Sequence, residues 1–391
     1  MKRISTALLM AFLIFQTCSK STEPAQIDSR FVLTNFTLID GNGGDPIEDA
    51  VVLVDSGIIV AAGPRTTTPL PEQVTVIDLN GATVLPGFIN AHIHNGYNRT
   101  NLEAWAQGGV TTVRDLGGPT SFALGDQLSA DPVCARLVMA GPMLSVPGGY
   151  PYVPWGSSSM LPVESVDDAR EKVNQLVDNG ADIIKLAVES GLEFGMVIPT
   201  LSPEEARAIV ETAHENGTVA SGHVLVAYDM GRALDAGVDD LAHMVVDNVS
   251  DQLIQRTVNN GVYWVPTLEL WYRVGHSRVD YAIANLRRFV AAGGLVALGT
   301  DYDGYDAEFE LGMPMLEMAY MLEAGMTPMQ IIVAGTKHAA QVCNRGDDLG
   351  TVEAGKIADL IVVSGNPLTN LQVLDSPGLV IHNGVVIRDE R

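Results

Sequence analysis

Four histidines, one aspartate and one lysine stand where their types and spacing could hold metal and activate water. His92 and His94 lie two residues apart in Ala91-His-Ile-His94. Side chains alternate across a strand, so both imidazoles face one side and a single ion can take both. His223, His243 and Asp301 each close an apolar, strand-like run. Imidazole and carboxylate together suit zinc, with manganese, cobalt and iron also compatible. Lys185 is the odd member, set among apolar neighbours in Gly180-Ala-Asp-Ile-Ile-Lys-Leu186. A buried ammonium beside dications is strongly disfavoured. Its neutral amine can instead add carbon dioxide, giving a carbamate whose two oxygens can each hold one metal. The alternative is an ammonium paired with a carboxylate such as Glu189.

These residues need elements that bring them together. Eight apolar runs read as strands, at 84–94, 110–115, 135–140, 183–187, 219–223, 240–243, 262–267 and 295–301, separated by helical patterns. Ser202-Pro-Glu-Glu205 offers an N-cap, a first-turn proline and a capping-box glutamate for a helix reaching about Glu215. Ala169, Val173, Leu176 and Val177 share a helical face that ends near Gly180, and Thr327-Pro-Met-Gln330 opens a last helix. Eight βα units over about 260 residues predict a TIM barrel, in which functional residues sit at the C-terminal ends of the strands. The four histidines and Asp301 fall at such ends. Runs of β-branched residues at 31–83 and again near the C-terminus predict a small β-sandwich built from both chain ends. The expected organisation is 31–83 with 346–391 as the sandwich and 84–345 as the barrel.

Composition narrows the partners. Of 391 residues 47% are hydrophobic and 18% charged, which excludes a disordered chain. Lys and Arg total 23 against 47 Asp and Glu, a formal charge of -24 that argues against nucleic acid. A small-molecule substrate is expected, and a homo-oligomer is compatible. Lys2 and Arg3 precede an apolar stretch from Ala7 to Phe15, which is too short for a transmembrane helix and fits a secretory signal over 1–18, followed by a polar linker, 19–30. Cys18 is placed as in a bacterial lipoprotein signal, although Phe15, Gln16 and Thr17 are larger than usual before such a cysteine. The expected location is the periplasm or cell envelope, with Cys18 as the candidate lipid anchor. Cys134 and Cys343 are too few for a disulfide scaffold and read as buried free thiols.

The set His92, His94, Lys185, His223, His243 and Asp301 resembles the binuclear metal pattern of the amidohydrolase superfamily. Leu85-Pro-Gly-Phe-Ile-Asn-Ala-His-Ile-His94, Gly299-Thr-Asp301 and Val352-Glu-Ala-Gly-Lys-Ile-Ala-Asp-Leu360 extend the likeness from about Phe31 to the C-terminus. More narrowly, the chain is similar to the imidazolonepropionase-like branch that includes Xaa-Pro dipeptidases. The resemblance implies two divalent ions, zinc foremost, with His92, His94 and Asp301 on the first, His223 and His243 on the second, and carboxylated Lys185 as bridge. It implies hydrolysis of an amide or peptide bond, in a dipeptide or an N-acyl amino acid, with Asp301 as general base and acid. Competing readings are a mononuclear non-hydrolytic or cyclic-amide-acting member, imidazolonepropionase-like or a decarboxylase or isomerase, and a relict barrel that only binds. One departure bears on substrate: a Gly-Gly-His segment common in the family reads Gly148-Gly-Tyr150-Pro here.

Candidate substrate residues lie in the loops beyond the strands. Arg114 could bind a substrate carboxylate or pair with Asp115 or a loop carboxylate. Tyr150, Trp155, Tyr228, Trp271, Tyr272 and His276 are candidate walls, and the stretch 189–200 is a candidate cover. His214, His338 and His382 read as bystanders.

Overall fold

The computed structural model describes residues 29–152, 160–303 and 307–391, with residues 276 and 277 described as backbone. The expected leader with Cys18, nearly all of the linker, Trp155 and the His276 side chain lie outside the described residues.

The chain opens in β1 (Arg30–Leu38), β2 (Ile47–Asp55), β3 (Ile58–Pro64) and β4 (Thr75–Pro86). These β-branched runs bury Leu33, Val52, Val54, Ile77 and Val84 in a core of their own. The barrel strands follow: β5 (Phe88–Ile93), β6 (Val110–Asp115) and β7 (Arg136–Met139), two short strands β8 (Met143–Ser145) and β9 (Met160–Pro162), then β10 (Ile184–Ala187), β11 (Ala220–His223), β12 (Asp240–Ala242), β13 (Tyr263–Val265) and β14 (Leu295–Val296). Finally β15 (Leu360–Val363), β16 (Leu379–His382) and β17 (Val385–Asp389) return to the first sheet, whose order is β17-β16-β15-β4-β1-β2-β3. Both chain ends therefore build one sheet beside an α/β barrel.

The barrel is closed by parallel hydrogen bonding across its seam. Ala91 N donates to Leu298 O (2.8 Å) and Asp301 N to His92 O (2.9 Å), joining β5 to the segment that follows β14. Near the other gap, Asp182 N donates to Met139 O (2.8 Å) and Leu186 pairs with Leu144 of β8. Inside, Ile89, Ala91, Val138, Ile183, Ala242, Val265 and Ala297 meet Ala339, Val342 and Cys343, so the last helix plugs the bottom. All eight expected strand sites carry strands, with two differences. Residues 84–86 belong to β4, where Leu85 pairs with Ile361 of β15. The break falls at Gly87, where a Cβ would meet the Thr111 side chain at 2.3 Å. The strands β8 and β9 were not foreseen, because three-residue runs give too few positions to show an alternation.

The helices form where their caps direct. Helix Pro203–Glu215 carries the full Ser202/Glu205 capping box, and helix Pro328–Val333 the Thr327/Gln330 one. Helix Val166–Asp178 buries Ala169, Val173 and Leu176 and ends at Asn179, one residue before Gly180. Helix Pro203–Glu215 packs on β10 and β11, whose residues are buried throughout, as parallel barrel strands must be.

Candidate metal centre

His92, His223, His243 and Asp301 converge at the C-terminal ends of β5, β11, β12 and β14, and His94 joins them from the turn after β5. His92 Nε2 lies 3.0 Å and His94 Nε2 3.1 Å from Asp301 Oδ1, while His243 Nδ1 lies 3.8 Å from Asp301 Oδ2. His92, His243 and Asp301 can each offer a donor atom within 4.8 Å of the others. The His223 ring stands edge-on to that of His243 at 4.8 Å. The tightest trio thus takes one imidazole from each of the two expected pairs, with Asp301 at the centre.

The local backbone is shaped to present these groups. His243, Thr267 and Asp301, at the ends of three successive strands, all have positive φ (73°, 48° and 58°). For non-glycine residues this costs about 1–3 kcal/mol each and collects at functional sites. Gly299 lets the chain pass close to His92, since a Cβ there would meet His92 N and Cβ at 2.9 Å. Asn90 and Thr300 clamp the segments that carry His92 and Asp301 by Asn90 Nδ2 to Thr300 Oγ1 (2.9 Å) and Thr300 N to Asn90 Oδ1 (3.1 Å). His243 is braced by a contact of its Nδ1 with Thr267 Oγ1 (3.1 Å), and its carbonyl accepts from Trp264 Nε1 (2.7 Å).

Burial sets the charge states. It pushes His92 down to about 3 and holds His223 and His243 well below the usual imidazole value, so all three are neutral donors. Burial works against the charge of Asp301, but His92 and His243 pull its carboxyl well below the ordinary range. Burial also opposes protonation of His94, yet its contact with Asp301 raises it. Lys185, deep in β10 and 1% exposed, is driven down to about 7, again by burial first. Among the described residues no aligned hydrogen bond reaches Lys185 Nζ, His92 Nδ1 or Nε2, His223 Nε2 or Asp301 Oδ1, the His92–Asp301 and His94–Asp301 contacts being close but not aligned. A buried unsatisfied polar group costs about 1–3 kcal/mol. Several together at one strand-end rim fit a divalent-metal donor set, with neutral imidazoles, an anionic carboxylate and a lysine poised to lose its proton.

The expected ion pair of Lys185 with Glu189 does not form, since the amine is unpaired. Glu189 is buried beside His223 instead, Oε2 to Nε2 4.0 Å, while its Oε1 accepts from Gly191 N (2.7 Å). Burial, with Asp229 adding to it, raises its carboxyl to about 8. Glu189, Asn90 and Thr267 are the site neighbours to which sequence reading gave no place in the centre. Their contacts span loops, and only their adjacency to strand ends could have marked them.

The substrate candidates divide. Tyr150 lies flat on His223, rings 4.0 Å apart and 19° from parallel, and so reaches the site. Trp271 is buried edge-on to His243 at 6.3 Å. Arg114 does not line the pocket. It is wholly buried in the barrel floor, giving Nη1 and Nη2 to the Asp240 carboxylate (2.8 and 3.1 Å) and Nε to Ala91 O (2.6 Å). The alternation of β6 turns it inward to Asp240 of β12, a partner 126 residues away, not to Asp115. Tyr228 is 62% exposed with the Arg232 guanidinium over its ring, so it stands at the surface and not in a pocket wall. Tyr272 packs on Tyr320 with rings 5.5 Å apart. His214, His338 and His382 have partners elsewhere, at Asp239 Oδ2, Val296 O and Pro132 O.

Comparison with known proteins gives the same direction. The amidohydrolase family model matches residues 83–387. The ochratoxinase of Aspergillus niger is 25% identical over 93% of this chain and 86% of its own length. The imidazolonepropionase of a Geobacillus species is 25% identical over 81% of this chain and 84% of its own. A solved Xaa-Pro dipeptidase with methionine bound in its active site superposes with a TM-score of 0.76 at 25% identity, covering 92% of this chain and 99% of that one. Strand-end donors, an α/β barrel and a family match over most of the sequence lead to one conclusion: the chain belongs to the amidohydrolase family and is a metal-dependent hydrolase of small molecules.

Proposed function

We propose that this hydrolase is binuclear and cleaves the amide bond of an N-acyl amino acid or a dipeptide. The observation that carries the binuclear reading is the amine of Lys185, buried and unpaired in the strand beside the one that ends at His223. Added to carbon dioxide, that amine becomes a carbamate and releases one proton, which replaces an orphaned donor with a bidentate anion. His92, His94 and Asp301 would hold one ion and His223 and His243 the other, with the carbamate between them. Bound there, the two ions would acidify a water toward neutral pH and polarise the scissile carbonyl.

The chain's own groups supply the rest. Asp301, anionic and within 3.1 Å of two imidazoles, takes the proton of the attacking water and passes it to the leaving amine. Tyr150 covers the face of His223 and excludes water from that side. Glu189 buttresses the same imidazole from 4.0 Å. The likeness to a Xaa-Pro dipeptidase and an ochratoxinase supports the substrate class without fixing the acyl group.

The test is amine release from a panel of N-acyl amino acids and dipeptides by zinc-loaded protein. Release that stops on chelation and in Asp301→Asn supports the reading. No release from any member, with metal bound, contradicts it. Export belongs to the same proposal, with 1–18 as leader and Cys18 as lipid anchor; the intact mass of the mature N-terminus decides it. So does the division into a sandwich of 31–83 with 346–391 and a barrel of 84–345, which limited proteolysis probes.

A further inference from the structure

If the substrate is an amino acid acylated on nitrogen, its carboxylate needs a cation, and Arg114 is sealed in the floor. The structure offers another. Two series of ring contacts leave the histidine cluster. From His223, Tyr150 stacks at 4.0 Å, and Phe194 stacks on Tyr150 at 6.3 Å and 11°. From His243, Trp271 stands edge-on at 6.3 Å, and the Arg278 guanidinium lies over Trp271 at 6.0 Å. The two series meet, because Arg278 Nε is 2.6 Å from Glu193 Oε1 and Glu193 adjoins Phe194 in the chain. The Arg278–Glu193 pair thus closes a loop of contacts that begins on His223 and ends on His243, two imidazoles only 4.8 Å apart.

Two other arginines, Arg232 and Arg273, are committed. Arg232 gives its terminal nitrogens to Asp229, Thr200 Oγ1 and Leu201 O. Arg273 puts Nε and Nη2 on Glu269 Oε1 and lies over Phe309. Arg278 has its one ion pair among the described residues through Nε, and 36% of its side chain is open to solvent. A guanidinium held by one edge still presents the other, the two-donor fork that matches a carboxylate.

We propose that Arg278 binds the free carboxylate of the substrate, making this a hydrolase of N-acyl amino acids or dipeptides with an uncapped C-terminus. The inference rests on the amide-hydrolase reading but is tested apart from it, by binding. Zinc-loaded Asp301→Asn protein is titrated calorimetrically with N-acetyl-L-phenylalanine and with its C-terminal amide, alone and combined with Arg278→Met, Arg278→Lys or Glu193→Gln. The expected result is at least tenfold tighter binding of the acid than of the amide. Arg278→Met removes that preference, Arg278→Lys keeps part of it, and Glu193→Gln keeps it within threefold. Equal binding of acid and amide in the parent overturns the proposal, as does a preference that survives Arg278→Met. If Glu193→Gln reproduces Arg278→Met, the pair is only a latch for the 189–200 loop and the proposal also fails. Arg278-dependent binding without turnover of any panel member by the wild type would instead defeat the amide-hydrolase reading and leave only the assignment of Arg278 as the carboxylate-binding residue.

Discussion

Two buried charged clusters lie in the same barrel and differ in one respect. At the floor, Arg114 is satisfied by Asp240, Ala91 O and Val342 O, and Asp240 also accepts from Ser221 Oγ (2.7 Å). At the rim, Lys185, His92, His223 and Asp301 keep atoms that no aligned hydrogen bond from the described residues satisfies. A third cluster, where the barrel meets the sheet, is more nearly closed: Arg136 pairs with Asp359 (2.7 Å) and Asp359 accepts from Asn383 N (2.7 Å), with one atom, His382 Nε2 at 3.9 Å from Asp359, left without a hydrogen bond among the described residues. Closed networks hold strands in place, whereas an open one marks where a ligand completes the set. Burial and charge alone do not separate the two, because Arg114 and Lys185 are equally hidden.

Breaking each cluster should give opposite signatures. The largest effect is expected at the rim, where Asp301→Asn should cut turnover by about 10²–10⁴-fold with the fold intact, measured as amine release beside a melting curve. At the floor, Arg114→Met leaves Asp240 charged and unpaired, and should cost about 3–5 kcal/mol of stability in denaturant unfolding. Chelation should lower the melting temperature of the wild type, with a loss of about 3–4 kcal/mol if metal was present at 100 to 1,000 times its dissociation constant. Chelation should move the metal-deficient Lys185→Ala far less.

A smaller contrast is in pH. Burial raises the carboxyl of Glu317 to about 8, and its Oε1 has no hydrogen-bond partner among the described residues. The folded chain therefore holds a proton that the unfolded chain has released above the ordinary value of 4.5. Its contribution to stability declines as pH rises from 4.5 to 8, and Glu317→Gln should flatten that decline. Asp359 has the reverse sign. Burial opposes its ionisation, but Arg136 and His382 hold it below 3.8, so its contribution is complete above that value and fades as pH falls further. Acid unfolding curves of Asp359→Asn check this.

Much of this was legible in residue order. The eight strand positions follow from apolar runs with turn signals, and the cluster of possible metal donors from histidines and an aspartate at their ends. Ser202 and Glu205 announced a helix because capping is local. What stayed hidden depends on residues far apart in the chain. Arg114 looked like a strand-end cation, and only the closed barrel sets it against Asp240. Tyr228 looked like a wall because it follows His223 closely, yet the first turn of helix Ala227–Ala236 carries it to the surface. Residues 84–86 read as barrel strand because nothing local distinguishes an apolar strand in one sheet from the same strand crossing into another. Arg278 and Glu193 sit 85 residues apart in the sequence and meet only once the chain is folded.

The most direct test of the central claim, that the open cluster is a lysine-bridged pair of metal sites, is a metal count. Protein lacking residues 1–18 is purified in bicarbonate and analysed by elemental mass spectrometry, wild type beside Lys185→Ala. Two equivalents in the wild type, with fewer in Lys185→Ala, is the predicted result. One equivalent or none, unchanged by the substitution, would contradict it.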